Sequence, residues 1–249
     1  MKKKKEEIAI SVKDLDIYYT EMNRFSLARD GFENIKRAKR FHAVKNVSFD
    51  IPKGEIVGIC GKNGSGKSTL LRAIAGIFSP DKGSIDLHGN TVSLLSIGVG
   101  FKKELSGYEN IYLSGLLLGY SEEDIDKKLD EIIEFSEIGD FINKPVSSYS
   151  SGMYSKLAFS ITAILETDIM LIDEVLSVGD VRFRKKSYNK MKELISDEHR
   201  TVVIVSHSSN TLKDLCNRVI WINEGKLMGD GNPKEIVEKY EEYMKSLDD

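Results

Sequence analysis

The chain has 249 residues, of which 41% are hydrophobic and 30% are charged, and its formal net charge is −3. This length suits one large or two small domains and is enough to bury a full core, and the composition is ordinary for a soluble globular protein. The small net charge excludes a global field that recruits nucleic acid. Two cysteines, Cys60 and Cys216, are too few for a disulfide framework. No run of 18 apolar residues occurs, so any membrane role is expected to come through a partner.

Apolar runs along the chain predict an α/β core. IAISVKDLDIYY and AVKNVSFDI alternate as strands do, which indicates an antiparallel sheet near the start. GEIVGIC, TDIMLIDE and RTVVIVSH contain continuous apolar runs, which are typical of parallel strands buried on both faces. RVIWINEGKLMGDG predicts a hairpin that turns at Glu224–Gly225, and an amphipathic helix is expected at about 233–247.

A helical subdomain is predicted at about 105–160, set into this core. Ser121 followed by Asp124 resembles a capping box. Apolar residues then repeat at helical spacing; they are Ile125, Leu129, Ile132 and Ile133. The whole chain, 1–249, is therefore expected to be one domain with a helical insertion.

GKNGSGKST fits the pattern Gly-x-x-x-x-Gly-Lys-Ser/Thr between a predicted strand and a predicted helix, which is the context of a P-loop. Glycines let backbone N–H groups point at phosphate oxygens, and the helix N-terminus adds positive potential. We expect Lys67 to reach the β- and γ-phosphates and Ser68 to bind Mg²⁺. The alternative is a glycine-rich structural turn. The predicted nucleotide-binding residues here are Gly61, Asn63, Gly64, Ser65, Gly66, Lys67, Ser68 and Thr69.

Three further polar residues follow buried strands. Asp173 fits the Walker B role of holding Mg²⁺, and Glu174 is then placed to polarise the attacking water. The alternative for this pair is two solvated charges at a strand end. His207, 33 residues after Glu174, is either an ordinary strand-end polar residue or, together with the other motifs, a sensor of the γ-phosphate. We predict catalytic roles for Glu174 and His207.

YSSGMYSKLAFS opens a predicted helix with two serines and a glycine. With the P-loop, the Asp-Glu pair, an S-V-G-D run and the strand-end histidine, it resembles the ATP-binding cassette family, whose signature is Leu-Ser-Gly-Gly-Gln. Ser150, Ser151 and Gly152 stand in the Ser-Gly-Gly places, whereas Tyr149 replaces Leu and Met153 replaces Gln. The resemblance implies a head-to-tail homodimer. In it, the Ser150 hydroxyl and the Gly152 N–H contact the γ-phosphate held by the P-loop of the other subunit.

Three stretches together resemble the ATP-binding subunits that export teichoic acids, O-antigen and related lipid-linked polysaccharides. They are the variant signature, LIDEVLSVGD and GVGFKKELSGYENIYLSGLLLG. The resemblance implies a P-loop NTPase α/β fold with a helical subdomain and an N-terminal antiparallel β subdomain. It also implies ATP and Mg²⁺, an integral membrane permease in a two-plus-two complex, and a position on the cytoplasmic face of the membrane. The chain would interact with the lipid-linked glycan through the permease.

The same resemblance assigns two more residues and reveals two departures. Asp180 closes the S-x-G-D run and is expected at the nucleotide, and Tyr19 is expected to stack on adenine, with Tyr18 as the alternative. Ser96 stands where most cassettes carry Gln and this group often carries Glu, so a direct catalytic role of that loop is not expected. The chain stops at Asp249, so the C-terminal carbohydrate-binding domain of some O-antigen members is not expected.

The segment 20–42 is a long basic insertion, with six Lys/Arg against three acids. Loops of this length are uncommon in compact domains and are often functional. One hypothesis is that it meets the permease near the entrance for the anionic glycan. The alternative is a solvated surface excursion.

Two other classes of protein share some of these motifs. A soluble cassette ATPase that acts on nucleic acid would place a coiled coil or zinc-binding insertion between P-loop and signature, but the 83 residues from Lys67 to Ser150 contain no heptads and no CxxC. A P-loop kinase would explain neither the signature nor His207. We therefore expect an exporter subunit and no nucleic-acid partner.

Overall fold

The computed structural model describes residues 7–20, 40–95, 100–173, 179–196 and 200–247. Four features named in the sequence lie wholly or mostly outside these ranges: Glu174, Ser177 at the start of the S-V-G-D run, Ser96 and the basic insertion. The strands of the described part are β1 (Ile8–Thr20), β2 (Arg40–Pro52), β3 (Ile56–Cys60), β4 (Lys82–Asp86), β5 (Val92–Leu95), β6 (Ile169–Asp173), β7 (Thr201–Val205), β8 (Arg218–Asn223) and β9 (Lys226–Gly231). Its α-helices are α1 (Lys67–Ile74), α2 (Gly107–Leu117), α3 (Glu122–Ser136), α4 (Ser151–Ile164), α5 (Val181–Ile195), α6 (Ser209–Leu215) and α7 (Pro233–Lys245).

The predicted antiparallel sheet near the start is present, in the order β2-β1-β4. Its ladder reaches the pair Thr20↔Arg40. The strands therefore run further than the sequence predicted, and the segment between them is 21–39 rather than 20–42. The difference arises because cross-strand pairing continues through Phe41 and His42, which the sequence pattern alone assigned to the insertion.

The second sheet has six strands in the order β5-β6-β7-β3-β8-β9. All neighbours pair in parallel except β8 and β9, which form the predicted hairpin. The central strand β7 is buried along its whole length, as its continuous apolar run predicted. Because the carboxyl ends of parallel strands meet at one edge, the residues that follow β3, β6 and β7 are brought together there.

The helical subdomain is built from α2, α3 and α4, with two short 3-10 turns between α3 and α4. Ser121 caps α3 as predicted, accepting a hydrogen bond from the Asp124 N–H at 3.2 Å. Ser106 and Glu109 form a reciprocal capping box at the start of α2. The three helices share a core of their own, which includes Ile111, Ile125, Ile132, Leu157 and Ile161.

The C-terminal helix α7 begins at Pro233 as expected and ends at Lys245, two residues before the predicted end. Asn232 caps it and proline occupies its first turn, where a missing N–H carries no cost. Among the helices of the described ranges, none is both long enough and apolar enough to cross a bilayer.

Candidate functional site

The loop between β3 and α1 has the backbone shape that phosphate binding needs. Gly61 and Gly66 adopt φ values of 148° and 105°. A Cβ at Gly61 would lie 2.0 Å from the Ile222 carbonyl oxygen, and one at Gly66 would lie 2.4 Å from the Ala43 carbonyl oxygen. Only glycine fits at either position, because both the dihedral angles and the neighbouring backbone exclude a side chain.

Lys67 and Ser68, the first two residues of α1, present their polar atoms at this loop. The Lys67 ammonium is buried and donates to the carbonyl oxygens of Gly61 at 2.8 Å and Lys62 at 2.9 Å. Ser68 Oγ donates to Asp173 Oδ1 at 3.0 Å across 105 residues of sequence. The structure therefore brings together the hydroxyl and the carboxylate for which the sequence predicted a shared metal, and both supply the oxygen ligands that Mg²⁺ prefers.

The turn between β8 and β9 is hydrogen-bonded to the P-loop. The sequence pattern does not connect this turn with the site. Gly225 N–H donates to the Ser65 carbonyl at 2.9 Å, and the Gly225 carbonyl accepts from Lys45 N–H at 2.8 Å. Lys62 and Glu224 also form an ion pair at 3.3 Å. Ser65 itself is buried, and its N–H donates to the Lys62 carbonyl at 3.2 Å. Ser65 also lines the pocket over the P-loop, and its nucleotide contact stays a prediction.

A pocket of about 210 Å³ opens over the P-loop. Its lining includes the predicted residues Asn63, Gly64 and Thr69, together with His207 from the end of β7. Phe41 of β2 also lines it, although the sequence pattern does not point to this residue. The signal that could have found Phe41 is an aromatic residue two positions before the predicted strand AVKNVSFDI.

Tyr19 and Tyr18 occupy different surroundings. The Tyr19 hydroxyl lies 3.1 Å from Thr69 Oγ1 in the first turn of α1, so this ring is beside the P-loop. Tyr18 instead stacks on His42, with ring centroids 4.0 Å apart. Of the two candidates for the adenine contact, Tyr19 is the one that contacts a P-loop residue, and its role stays a prediction.

The predicted signature residues form the N-terminus of α4. Ser150 is the N-cap, and its hydroxyl accepts from the Met153 N–H at 3.2 Å. Ser150 and Ser151 are exposed, and a Cβ built on Gly152 would meet only Ser150 Oγ, at 3.8 Å. The end of the helix is thus open to an incoming anion, which unsatisfied N–H groups and the helix dipole favour. Among the described residues that line the P-loop pocket, none comes from this helix.

Asp180 has a structural environment that the sequence did not reveal. It caps α5 by accepting from the Phe183 N–H at 3.0 Å, and its other oxygen lies 2.7 Å from the Lys156 ammonium of α4. The hydrogen bond from Lys156 lowers the pKa of Asp180 to about 2. Asp180 therefore stays charged at neutral pH, and its ion pair with Lys156 ties the signature helix to the N-terminus of α5.

Comparison with known proteins identifies the family. A family model described as ABC transporter matches residues 44–177. A teichoic acids export ATP-binding protein of Lactococcus lactis is 46% identical over 211 residues, 85% of this chain and 45% of that protein. An O-antigen export system ATP-binding protein of Klebsiella pneumoniae is 42% identical over 208 residues, 84% of each chain.

A solved structure, the dimeric post-hydrolysis state of an ATP-binding cassette bound to ADP and Pi, supports the fold. It matches with a TM-score of 0.69 at 22% identity, covering 90% of this chain and 98% of its own. The chain spans less than half the length of the Lactococcus lactis relative. The family model matches more than half of the chain, and the Klebsiella relative matches over 84% of both chains. The chain therefore belongs to the ABC transporter family.

Proposed function

We propose that the chain is the ATP-hydrolysing subunit of an exporter that moves a lipid-linked polysaccharide, such as a teichoic acid or an O-antigen, across the cytoplasmic membrane. The contact between Ser68 Oγ and Asp173 Oδ1 beside the P-loop is the observation that supports an ATP site. The export role is supported by the names of the relatives from Lactococcus lactis and Klebsiella pneumoniae. Neither relative's name supports the alternative of a nucleic-acid ATPase.

In this proposal, the chain's own residues bind and orient the triphosphate. The Lys67 ammonium exchanges its loop carbonyls for phosphate oxygens, which are stronger, charge-assisted partners. Ser68 and Asp173 would hold Mg²⁺, which neutralises charge on the β- and γ-phosphates when bound. Glu174 follows Asp173 in the sequence and would accept the proton of the attacking water. His207 lines the pocket and would contact the γ-phosphate.

The second half of each nucleotide site would come from another copy of the chain. The N-terminus of α4 carries exposed hydroxyls and unsatisfied N–H groups, yet the described lining of the P-loop pocket in the same chain does not include them. A head-to-tail dimer would place this helix end against the γ-phosphate. The Ser150 hydroxyl can accept from Met153 N–H and donate to phosphate at the same time, because a hydroxyl has one donor and two acceptor sites.

Replacing Ser150 by aspartate should separate this role from helix capping. Aspartate is as good an N-cap as serine, so thermal stability and ATP binding by the monomer should be preserved. Its negative charge would repel the γ-phosphate, so ATP-driven dimerisation, measured by light scattering, should fail.

Ser150→Asn is the matched control, since it keeps the cap and the size of the side chain without the charge. It should dimerise better than Ser150→Asp. If Ser150→Asp dimerised at the same ATP concentration as the wild-type chain, a phosphate contact by this helix end would be contradicted. Loss of ATP binding by the monomer would place the helix inside one active site.

The permease would dock in an apolar groove between the helical subdomain and the six-stranded sheet. The groove is bounded by the end of α1, strand β5 and helices α2 and α4. Ile77 is 49% exposed and Leu117 is 63% exposed, unusually high fractions for large apolar side chains at one location. An amphipathic helix of the permease would bury them, as helix-in-groove partners do. The lining residues are Ala75, Ile77, Val92, Leu94, Ser114, Leu117, Leu118 and Thr162.

The test of the proposed function is ATP turnover of the subunit assembled with its permease. Addition of the cognate lipid-linked glycan should raise turnover, and Leu117→Asp should abolish that rise while leaving basal turnover of the free subunit unchanged. Leu247→Asp changes a leucine of similar exposure outside the groove lining and should behave as wild type. The export proposal fails if no lipid-linked glycan stimulates the complex. Normal stimulation of the Leu117→Asp complex would exclude this groove as the docking site.

A further inference from the structure

The two-residue turn between β8 and β9 has a strained backbone. Its central residues, Glu224 and Gly225, both have positive φ, 49° and 81°, as expected of a type I′ hairpin turn. Glycine adopts such angles freely, but a glutamate in this region is strained and stays there only where surrounding contacts hold it. The conformation of the turn therefore depends on the groups that anchor it on each side.

On one side the turn is bonded to the P-loop. The Gly225 N–H donates to the Ser65 carbonyl at 2.9 Å, so backbone is joined directly to backbone. The ion pair of Lys62 with Glu224 adds little, because an exposed pair of this kind contributes about 0–1 kcal/mol or less. Phosphate binding depends on the direction of the N–H groups in the loop. A shift of the turn would therefore reach the phosphate site through the backbone bond.

On the other side the turn is anchored to the C-terminal helix α7. Asn223, the last residue of β8, pairs with Lys226 across the hairpin and is 7% exposed. Its side-chain Nδ2 donates to the Tyr243 hydroxyl of α7 at 3.0 Å. Its Oδ1 has no hydrogen-bond partner among the described residues. Within the described ranges, the Tyr243 hydroxyl is therefore the contact that fixes this buried amide at the start of the turn.

We propose that Tyr243 is a positioning residue for the P-loop, acting through Asn223 and the β8–β9 turn on the loop conformation that binds the triphosphate. This inference rests on the proposed function and adds to it a residue of α7. The Tyr243 ring packs on Trp221, with ring centroids 5.3 Å apart, and this packing holds the hydroxyl against the amide. The contacts then run from Asn223 along the backbone to Gly225 and on to Ser65.

Tyr243→Phe removes the hydroxyl and keeps the ring on Trp221. The net contribution of one hydrogen bond corresponds to roughly 2- to 13-fold in an equilibrium constant. We therefore expect the Kd for Mg-ATP to rise about fivefold. The Kd for Mg-tripolyphosphate should rise by the same factor, because the loop binds the phosphates and not the base. The Gly225 amide hydrogen, which donates to the Ser65 carbonyl, should exchange faster with solvent.

The experiment is calorimetric titration of the full chain with both ligands, together with amide hydrogen exchange followed by NMR. Tyr240→Phe is the matched control, because it removes a hydroxyl from another half-buried tyrosine of α7 whose ring also contacts Trp221, at 5.9 Å. It should match wild type. Ile132→Val shortens a fully buried side chain in the core of the helical subdomain and lowers stability away from the turn. It should keep wild-type affinity for both ligands.

A double-mutant cycle tests whether one hydrogen bond carries the effect. Asn223→Ala combined with Tyr243→Phe should bind ATP no more weakly than Asn223→Ala alone, because both changes break the same contact. Additive losses would overturn the proposal. So would unchanged affinity in Tyr243→Phe, a loss confined to ATP, or an equal loss in Ile132→Val, which would assign Tyr243 to general stability.

The hydrogen-exchange measurement separates this proposal from the proposed function. If the wild-type chain bound neither ligand, the proposed function would fall. Faster exchange of the Gly225 amide in Tyr243→Phe, and not in Tyr240→Phe, would still show that α7 positions the loop. Unchanged exchange at Gly225 would overturn the role of Tyr243, whether or not the chain binds nucleotide.

Discussion

Replacing Glu174 by glutamine is expected to leave ATP binding intact and to slow hydrolysis by roughly 10²–10⁴-fold. Asp173, the preceding residue, ends β6 with its carboxylate 3.0 Å from Ser68 Oγ. We therefore expect Glu174, the next residue in the sequence, to take a proton from water at that metal site. Glutamine preserves size and polarity but cannot accept the proton.

The measurement is phosphate release at saturating ATP, together with the dimeric fraction of the subunit. Glu174→Gln should accumulate an ATP-bound dimer, because the complex forms and is not consumed. Glu104→Gln removes an exposed carboxylate outside the pocket lining and serves as the control for loss of charge. Turnover of Glu174→Gln within a few-fold of wild type would exclude Glu174 as the general base.

Alanine at Gly66 is expected to abolish nucleotide binding, whereas alanine at Gly64 of the same loop should be tolerated much better. Both glycines have positive φ, 105° at Gly66 and 76° at Gly64. The left-handed backbone alone costs a non-glycine residue about 1–2 kcal/mol. A Cβ at Gly66 would also lie 2.4 Å from the Ala43 carbonyl oxygen, while one at Gly64 meets no atom within 4 Å.

Because the clash at Gly66 is with backbone, the loop and β2 must move apart, which adds about 1–3 kcal/mol of strain. Thermal unfolding and ATP titration of both variants give the comparison. Gly66→Ala should be less stable than Gly64→Ala and should not bind ATP detectably. Equal behaviour of the two variants would mean that backbone strain alone, and not contact with β2, fixes the shape of the loop.

Local patterns predicted much of the fold, because each reports on burial of a single element. The continuous apolar runs of β3, β6 and β7 appear in the structure as adjacent parallel strands. The contact between Ser68 and Asp173 could be predicted because parallel strands end at one edge of a sheet.

Contacts between distant segments could not be predicted in this way. The support of Ser65 by Gly225 joins residues 160 positions apart through backbone atoms, which leave no signal in side-chain type. The position of Phe41 at the site could not be predicted for a different reason. Its neighbours in sequence are charged, so the pattern assigns it to the insertion, whereas its pairing with Tyr19 places it in β2.

The separation of the two sheets has a consequence for motion. β2 belongs to the three-stranded sheet, yet its Ala43 carbonyl touches the P-loop, which follows a strand of the six-stranded sheet. A nucleotide bound at the P-loop would be expected to stabilise β2 through this contact. Amide hydrogens of β1 and β2 should then exchange more slowly with solvent when ATP is bound. The Lys45 N–H of β2 also donates to the Gly225 carbonyl of the β8–β9 turn at 2.8 Å, so a second contact would carry the same effect between the sheets.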